Sequence, residues 1–321
     1  MKISVRMEGG LGDHLVANRL IPAIKEQNPQ CKIDLFSDTE GKTMQSDILD
    51  SMWPSYFNEI YVIPSKKFKS FKIESSNFPP EDYPGHLDNV PDDYSTLMQD
   101  DKIYDKFYDL HIDSLKWLNH DYPWFKYFHH FPKPERNIRL EDCINLPSKF
   151  IMAHLYARPT ADSNMEEWYV KKFLNNIIQD YNVVLICEEK YRGYYEKIID
   201  TSNPKITLFS GGMEEIFYIS SKCEIFVGID SGIKYIPYHY GKPVFTFSKY
   251  CKTYGEVQFS YLIRWLLFDK HTFPLHFDIK TSTQIIKNCM RNPAYQLYPF
   301  LLDNIEQLVA QREETKWITK E

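Results

Sequence analysis

The sequence predicts an α/β protein of two Rossmann-like domains, each built on a doubly wound parallel sheet. Three observations carry this. Short apolar runs alternate with stretches of helical periodicity in the first third of the chain, and a second alternation of the same kind begins at Phe150. Between them lies a segment dense in aromatics, Pro, Lys and Asp with little periodicity. Strands that alternate with helices pair in parallel, because each helix carries the chain back to start the next strand. A length of 321 residues accommodates two ordinary domains. The shares of hydrophobic (43%) and charged (26%) residues are those of a globular chain.

In order, KISVRM reads as the first strand and GGLGD as a tight turn. The following HLVANRLIPAIKEQ places Leu15, Val16, Leu20, Ile21 and Ile24 on one helical face. KIDLFSD is the second strand, Met44 to Met52 a helix, EIYVIP the third strand, and KFYDLHID, ending at Asp113, the fourth. Residues 65 to 100 and 116 to 139 read as long functional loops or short helices attached to this domain. NLPSKF, around Pro147, reads as the linker, giving domains 1–147 and 148–321. The second domain follows as KFIMAHL, NVVLICEE, KITLFSG, EIFVGID and KPVFTFS for strands, with EEWYVKKFLNNIIQ, RGYYEKIID, MEEIFYISSK and a short IKYIPYHY for helices. From Gln284 to Gln311 the tail is mostly helical.

The bulk numbers exclude several classes. A formal charge of −6 offers no global attraction to nucleic acid or anionic lipid, so either would need a local basic patch. Six dispersed cysteines without a C-x-x-C pair argue against a disulfide framework or structural zinc and for buried reduced thiols. MKISVRM runs straight into a strand and does not resemble a signal peptide, and no window approaches the ~18 apolar residues of a membrane span. The expectation is a soluble, cytoplasmic monomer.

Ligands of open parallel sheets bind beyond the carboxyl ends of the strands, and three strand ends carry notable residues. Gly9-Gly10-Leu11-Gly12-Asp13 suggests the dinucleotide fingerprint, but Leu15 stands where the third glycine belongs, which argues against a dehydrogenase. The glycines still permit close backbone approach at a helix start. Asp13 sits there, and its plainer role is helix capping. Val227 to Gly232 forms a second strand-to-helix turn, in which Asp230 or Ser231 could cap and free N–H groups could hold a diphosphate. The third is the polar stretch His154 to Asn164, where Arg158 could neutralise a phosphate or merely be solvated.

These segments carry a resemblance. GGLGDHLVANRLIPAIKEQNP, YDKFYDLHIDSLK, SGGMEEIFYISSKCEIFVGIDSG and YGKPVFTF, in this order across residues 1 to about 250, resemble the ADP-heptose:lipopolysaccharide heptosyltransferase family (glycosyltransferase family 9). The resemblance implies the GT-B fold, two facing Rossmann-like domains around a cleft, with the C-terminal helix returning to the first domain. It implies an inverting, metal-independent sugar transfer from a nucleotide-diphosphate sugar, without a cofactor. Asp13 would be the general base. Asp230, Ser231 and Gly232 would bind the donor diphosphate, Arg158 would contact phosphate, and Glu188 or Glu189 would face the ribose. At position 235 this chain has Tyr235 where the family usually has His, so the donor sugar does not carry over.

The expected chemistry is physically simple. Leaving-group charge on the diphosphate needs N–H groups and a cation such as Arg158. The acceptor hydroxyl needs a carboxylate to take its proton, Asp13 first and Asp113 next. The acceptor is expected to be a saccharide of lipopolysaccharide type. The run SKKFKSFK interleaves Lys66, Lys67, Lys69 and Lys72 with Phe68 and Phe71, a composition that suits a polyanion, although a solvated strand edge is its commonest use. Abundant Tyr, Phe, Lys, Asn and Ile point to an AT-rich genome, phage genomes included, and so to a hydroxymethylated DNA base as a second acceptor reading, with the enzyme then in the host cytoplasm. A GT-B nucleotide-sugar epimerase and an inactive sugar-nucleotide-binding module are the rival functions.

Overall fold

The structure, a computed structural model, describes residues 1–38, 45–63, 102–110, 131–141, 143–157, 164–229, 231–247, 272–275 and 279–291. The chain divides into two compact units, Met1–Asn137 and Ile138–Glu321. The first holds strands β1 (Lys2–Met7), β2 (Lys32–Asp38), β3 (Glu59–Ile63) and β4 (Lys106–Asp109), with helices α1 (Leu11–Asn18), α2 (Ile21–Gln27) and α3 (Gln45–Met52). Its sheet has the order β3-β2-β1-β4, every pair parallel. Crossovers therefore change side between β1 and β4, and the ligand-binding switch point lies at their carboxyl ends.

The expected single helix after the glycine turn is two. Pro22 enters the first turn of α2, where its missing N–H is harmless, but its ring would clash with the carbonyl one turn back if α1 ran on. The apolar face still works as read, since Leu15, Val16, Leu20, Ile21 and Ile24 are all fully buried. Trp53, also fully buried, donates its indole N–H toward the carbonyls of Pro132 and Lys133, each at 3.2 Å. Glu135 N–H donates to the Met52 carbonyl at 2.9 Å. These bonds fasten the end of the aromatic segment to α3, so the first unit runs to Asn137, short of the linker expected at Pro147.

The second unit has strands β5 (Phe150–His154), β6 (Asn182–Ile186), β7 (Ile206–Phe209), β8 (Ile225–Ile229), β9 (Val244–Phe247) and β10 (Thr272–Leu275). They form one parallel sheet in the order β10-β9-β8-β5-β6-β7, with the switch point between β5 and β8. Its helices are α4 (Glu167–Ile177), α5 (Arg192–Ile198), α6 (Met213–Lys222), α7 (Tyr235–Tyr238) and α8 (Ile279–Arg291). One face packs α4, α5 and α8, where Tyr169 and Phe173 meet Phe247 edge-on at 5.4 and 5.1 Å. The other face takes α6, from which Ser220 Oγ reaches Met152 Sδ at 3.2 Å. Strands covered on both faces must be apolar throughout, which is why β5 and β8 read as unbroken hydrophobic runs.

Strand β10 is not among the strands read from the sequence; it lies at the sheet edge, where its Pro274 is tolerated. Among the described cysteines all are free thiols, with Cys187, Cys223 and Cys289 buried as expected but Cys143 exposed. No helix among the described residues is long and apolar enough to cross a membrane. Residues 292–311 of the expected helical tail lie outside the described residues, as does any return of the chain's end to the first domain.

At the first switch point Arg6 is buried on β1, ion-paired to Glu8 and, at 3.5 Å, to Asp109, its register partner on β4. Removing the central charge of a buried network strands its partners in a low dielectric. Arg6→Met is therefore expected to destabilise the protein by about 3–5 kcal/mol. Urea unfolding followed by circular dichroism checks this, and a loss under about 1 kcal/mol would mean the network is solvated.

Candidate functional site

Two strand-to-helix turns, one per unit, hold the expected residues. In the first, β1 ends at Met7 and Gly9 adopts φ 101°, a conformation in which glycine avoids the steric penalty of a side chain. A Cβ there would also collide with Asp13 Oδ2. Gly10, the N-cap residue of α1, donates its N–H to Oδ2 of Asp13 in the first turn at 2.7 Å; glycine has no side chain to return the bond, so only the reach-back half of a capping box is made. Asp13 is therefore not the N-cap of the plainer reading, a place Gly10 takes, but its bond to the Gly10 N–H holds its carboxylate over the glycine turn. A carboxylate has about four acceptor sites, so this bond does not exhaust it. Gly12 is the second residue of α1. Beneath lies His14, fully buried, its Nε2 2.8 Å from Ser37 Oγ and its Nδ1 3.1 Å from the Gly10 carbonyl. This ties the turn to the carboxyl end of β2.

The second turn comes after β8. Ser231 stands at the N-cap position with extended backbone (φ −146°, ψ 162°), yet its side chain makes no capping bond. Its hydroxyl lies 2.9 Å from Nδ1 of His154, the last residue of β5. The strands on either side of the switch point are thereby latched at their carboxyl ends. Gly228 is in register with His154, and a Cβ at 228 would come within 2.7 Å of the His154 carbonyl and 2.6 Å of the Phe226 ring. His154 is only 4% exposed, and burial pulls its pKa down to about 4. The imidazole is therefore neutral at pH 7.

The helical segment after Ser231 is shorter than the sequence predicts. Gly232–Lys234 is a 3₁₀ turn, running into the four-residue α7. A macrodipole needs aligned peptides over several turns, so side chains and individual N–H groups must do more here than a helix dipole. Tyr235, half-buried, lies 6.0 Å from the Tyr238 ring, with Lys234 Nζ 4.7 Å from its centroid.

Glu188 and Glu189 come after β6 and are both exposed. Each already has a partner: Lys190 Nζ lies 2.5 Å from Glu188, and Arg192 Nε lies 3.1 Å from Glu189. The Arg192 hydrogen bond holds the Glu189 carboxyl below its ordinary pKa. Arg192 also reaches Ser210 Oγ, at 3.4 Å, beside the glycine pair that starts α6. Arg158, Asp230, Asp113, Lys66, Lys67, Lys69 and Lys72 lie outside the described residues.

The structure thus brings Ser231 and Gly232 together with His154 on one sheet, and Gly9, Gly10, Gly12 and Asp13 together on the other. In the sequence His154 is visible only as the start of a polar stretch. Its position at a strand's carboxyl end is legible there, but its bond to a residue 77 positions away is not.

Both units are open parallel sheets with crossovers on both faces and polar turns at the switch point, which defines a pair of Rossmann-like domains. Solved structures of this GT-B architecture are similar. E. coli ADP-heptose lps heptosyltransferase II superposes with a TM-score of 0.57 at 12% identity, over 91% of this chain and 99% of that one. E. coli heptosyltransferase WaaC, with ADP-2-deoxy-2-fluoro heptose, gives 0.54 at 10% identity over 92% and 100%. A glycosyl transferase family 9 structure from Veillonella parvula gives 0.54 at 10% over 97% of each chain. No protein-family model matches the sequence, and no curated protein is significantly similar to it.

The buried neutral imidazole makes stability depend on pH. The folded protein protonates His154 only near pH 4, whereas the unfolded chain does so near 6.5. Between those values the unfolded state holds the extra proton, so this contribution is complete above 6.5 and is lost as pH falls toward 4. Urea unfolding across this window is expected to show a loss on the order of 3 kcal/mol that His154→Asn abolishes. Parallel pH profiles for the two proteins would show that the imidazole is not buried neutral.

Proposed function

We propose that the protein transfers a sugar from a nucleotide-diphosphate sugar to an acceptor hydroxyl, with inversion and without a metal. The observation that carries this reading is the latched turn after β8, where Ser231 and His154 meet at the switch point of a Rossmann-like sheet. The similarity in fold to nucleotide-sugar transferases, with the motif resemblance in the sequence, supports it.

In this mechanism the diphosphate lies at Ser231 and Gly232, with Asp230 and Arg158 beside it. Charge on the leaving oxygen is stabilised by N–H and hydroxyl donors fixed before the reaction, which need no reorganisation as it proceeds. The ribose hydroxyls meet Glu188 or Glu189. Drawing either carboxylate from its exposed ion pair costs little, since such pairs are worth about 0–1 kcal/mol. Tyr235 borders the same turn and contacts the donor. Asp13 accepts the acceptor's proton as its oxygen attacks the anomeric carbon from the face opposite the departing diphosphate, and this single displacement inverts the centre. The capping bond from Gly10 orients the carboxylate for this task. The acceptor is a saccharide of lipopolysaccharide type, held by the first domain, with Lys66, Lys67, Lys69, Lys72 and Asp113 as its contacts.

Asp13→Asn keeps the size and the capping oxygen but removes the proton acceptor. It is expected to lower kcat at least ~10²-fold while donor affinity and melting temperature stay close to wild type. A variant retaining more than about a tenth of the activity, a loss under ~1.4 kcal/mol, would reduce Asp13 to a cap. Turnover assayed with EDTA is expected to match turnover without it. Activity lost to the chelator and restored by Mn²⁺ or Mg²⁺ would overturn the metal-free mechanism.

A further inference from the structure

A serine at a helix start ordinarily accepts a bond from an N–H of the first turn. Ser231 holds that position with the right backbone and does not do so. Its hydroxyl turns instead to His154 Nδ1, at 2.9 Å. A hydroxyl has one proton and two lone pairs, and a neutral imidazole has one donor and one acceptor nitrogen. The contact can therefore be made in two ways. If Ser231 donates to Nδ1, only lone pairs remain on its oxygen, and these repel an oxyanion. If Nδ1–H donates to Ser231, the serine proton is left for an outside acceptor.

We propose that His154 is a positioning residue for the donor's diphosphate: its Nδ1–H donates to Ser231 Oγ and so directs the Ser231 proton to a phosphate oxygen. The inference rests on the reading of this turn as a nucleotide-diphosphate site. Three features of the fold support it. His154 is 4% exposed, whereas Ser231 is half-buried, so an arriving anion meets the serine first. The pair sits where the carboxyl ends of β5 and β8 adjoin, and the absence of a side chain at Gly228 permits the two strands to close to this distance. Tyr195, fully buried, accepts the next backbone N–H, that of Leu155, at 3.3 Å. The end of β5 is thus fixed on both sides of the imidazole, and the serine rotor is set before any ligand binds. Prearranged donors of this kind bind charge without paying to order themselves on arrival.

Two measurements test the proposal. Long-range ¹H–¹⁵N NMR of histidine-labelled protein, with the His154 signals assigned by their loss in His154→Asn, is expected to show Nδ1 protonated and Nε2 bare. The opposite tautomer overturns the proposal without reference to any ligand. Calorimetry with UDP, ADP and GDP, and with the corresponding nucleosides, gives the second. Ser231→Ala and His154→Leu are each expected to weaken binding of the preferred nucleoside diphosphate roughly ten- to a hundredfold, the range for a hydrogen bond to a charged group. The double variant should be little weaker than either single one, because the two residues act as a unit. Nucleoside affinity should not change. His154→Asn, whose amide N–H can take the place of Nδ1–H, should stay within about threefold of wild type, a rescue that a merely structural role would not require. Should His154→Leu fail to fold, Ser231→Ala and the tautomer decide. A wild-type protein that binds none of these diphosphates overturns the donor reading and this inference with it. Wild-type binding left undiminished by Ser231→Ala and His154→Leu overturns the inference alone.

Discussion

Two parallel strands cannot be joined by a tight hairpin, and all strand pairings described in this protein are parallel. Parallel neighbours are joined by crossovers, which gathers the turns that leave carboxyl ends on one edge of a sheet. Where successive crossovers depart in opposite directions, a gap opens between their first turns. In the second unit that gap lies between β5 and β8, and the His154–Ser231 bond spans the two strands that border it. In the first unit it lies between β1 and β4, and Arg6 joins them through Asp109.

The two switch points manage buried polarity differently. The first keeps full charges and pairs them, Arg6 with Glu8 and Asp109, directly below the turn that carries Asp13. Such a network is sensitive to the loss of any member, since what remains is an uncompensated charge. The second avoids charge. Burial keeps His154 neutral, and one hydrogen bond to Ser231 engages the nitrogen that faces the turn. The flanking acids Glu188 and Glu189 stand apart on an exposed 3₁₀ turn, each beside a cation.

Much of the architecture is legible along the chain because it follows from local pattern. Period-two and continuous apolar runs place nine of the strands, and the buried face of α1 and α2 can be read residue by residue. The sequence misleads where a local rule meets a tertiary exception. Pro22 splits a helix that apolar periodicity alone would continue. The edge strand β10, which holds Pro274, is not among the strands read. Trp53 holds the carbonyls of Pro132 and Lys133 through a contact about 80 residues long in sequence, which agrees with the attachment of the 116–139 stretch to the first domain but which no local pattern specifies.

By itself the sequence determined the fold class, the two glycine-containing turns and the residue types at each, because backbone freedom and hydrophobic period are written locally. It placed Asp13 at a helix start and left open whether it caps the helix or also takes a proton. Only the tertiary structure decided that Ser231 makes no capping bond and that its hydroxyl is held by His154 instead. The physical reason is one of range. A cap is settled within four residues, whereas the partner of a hydroxyl between two strands is chosen by sheet order, and sheet order is fixed only when the whole parallel sheet has assembled around a common core.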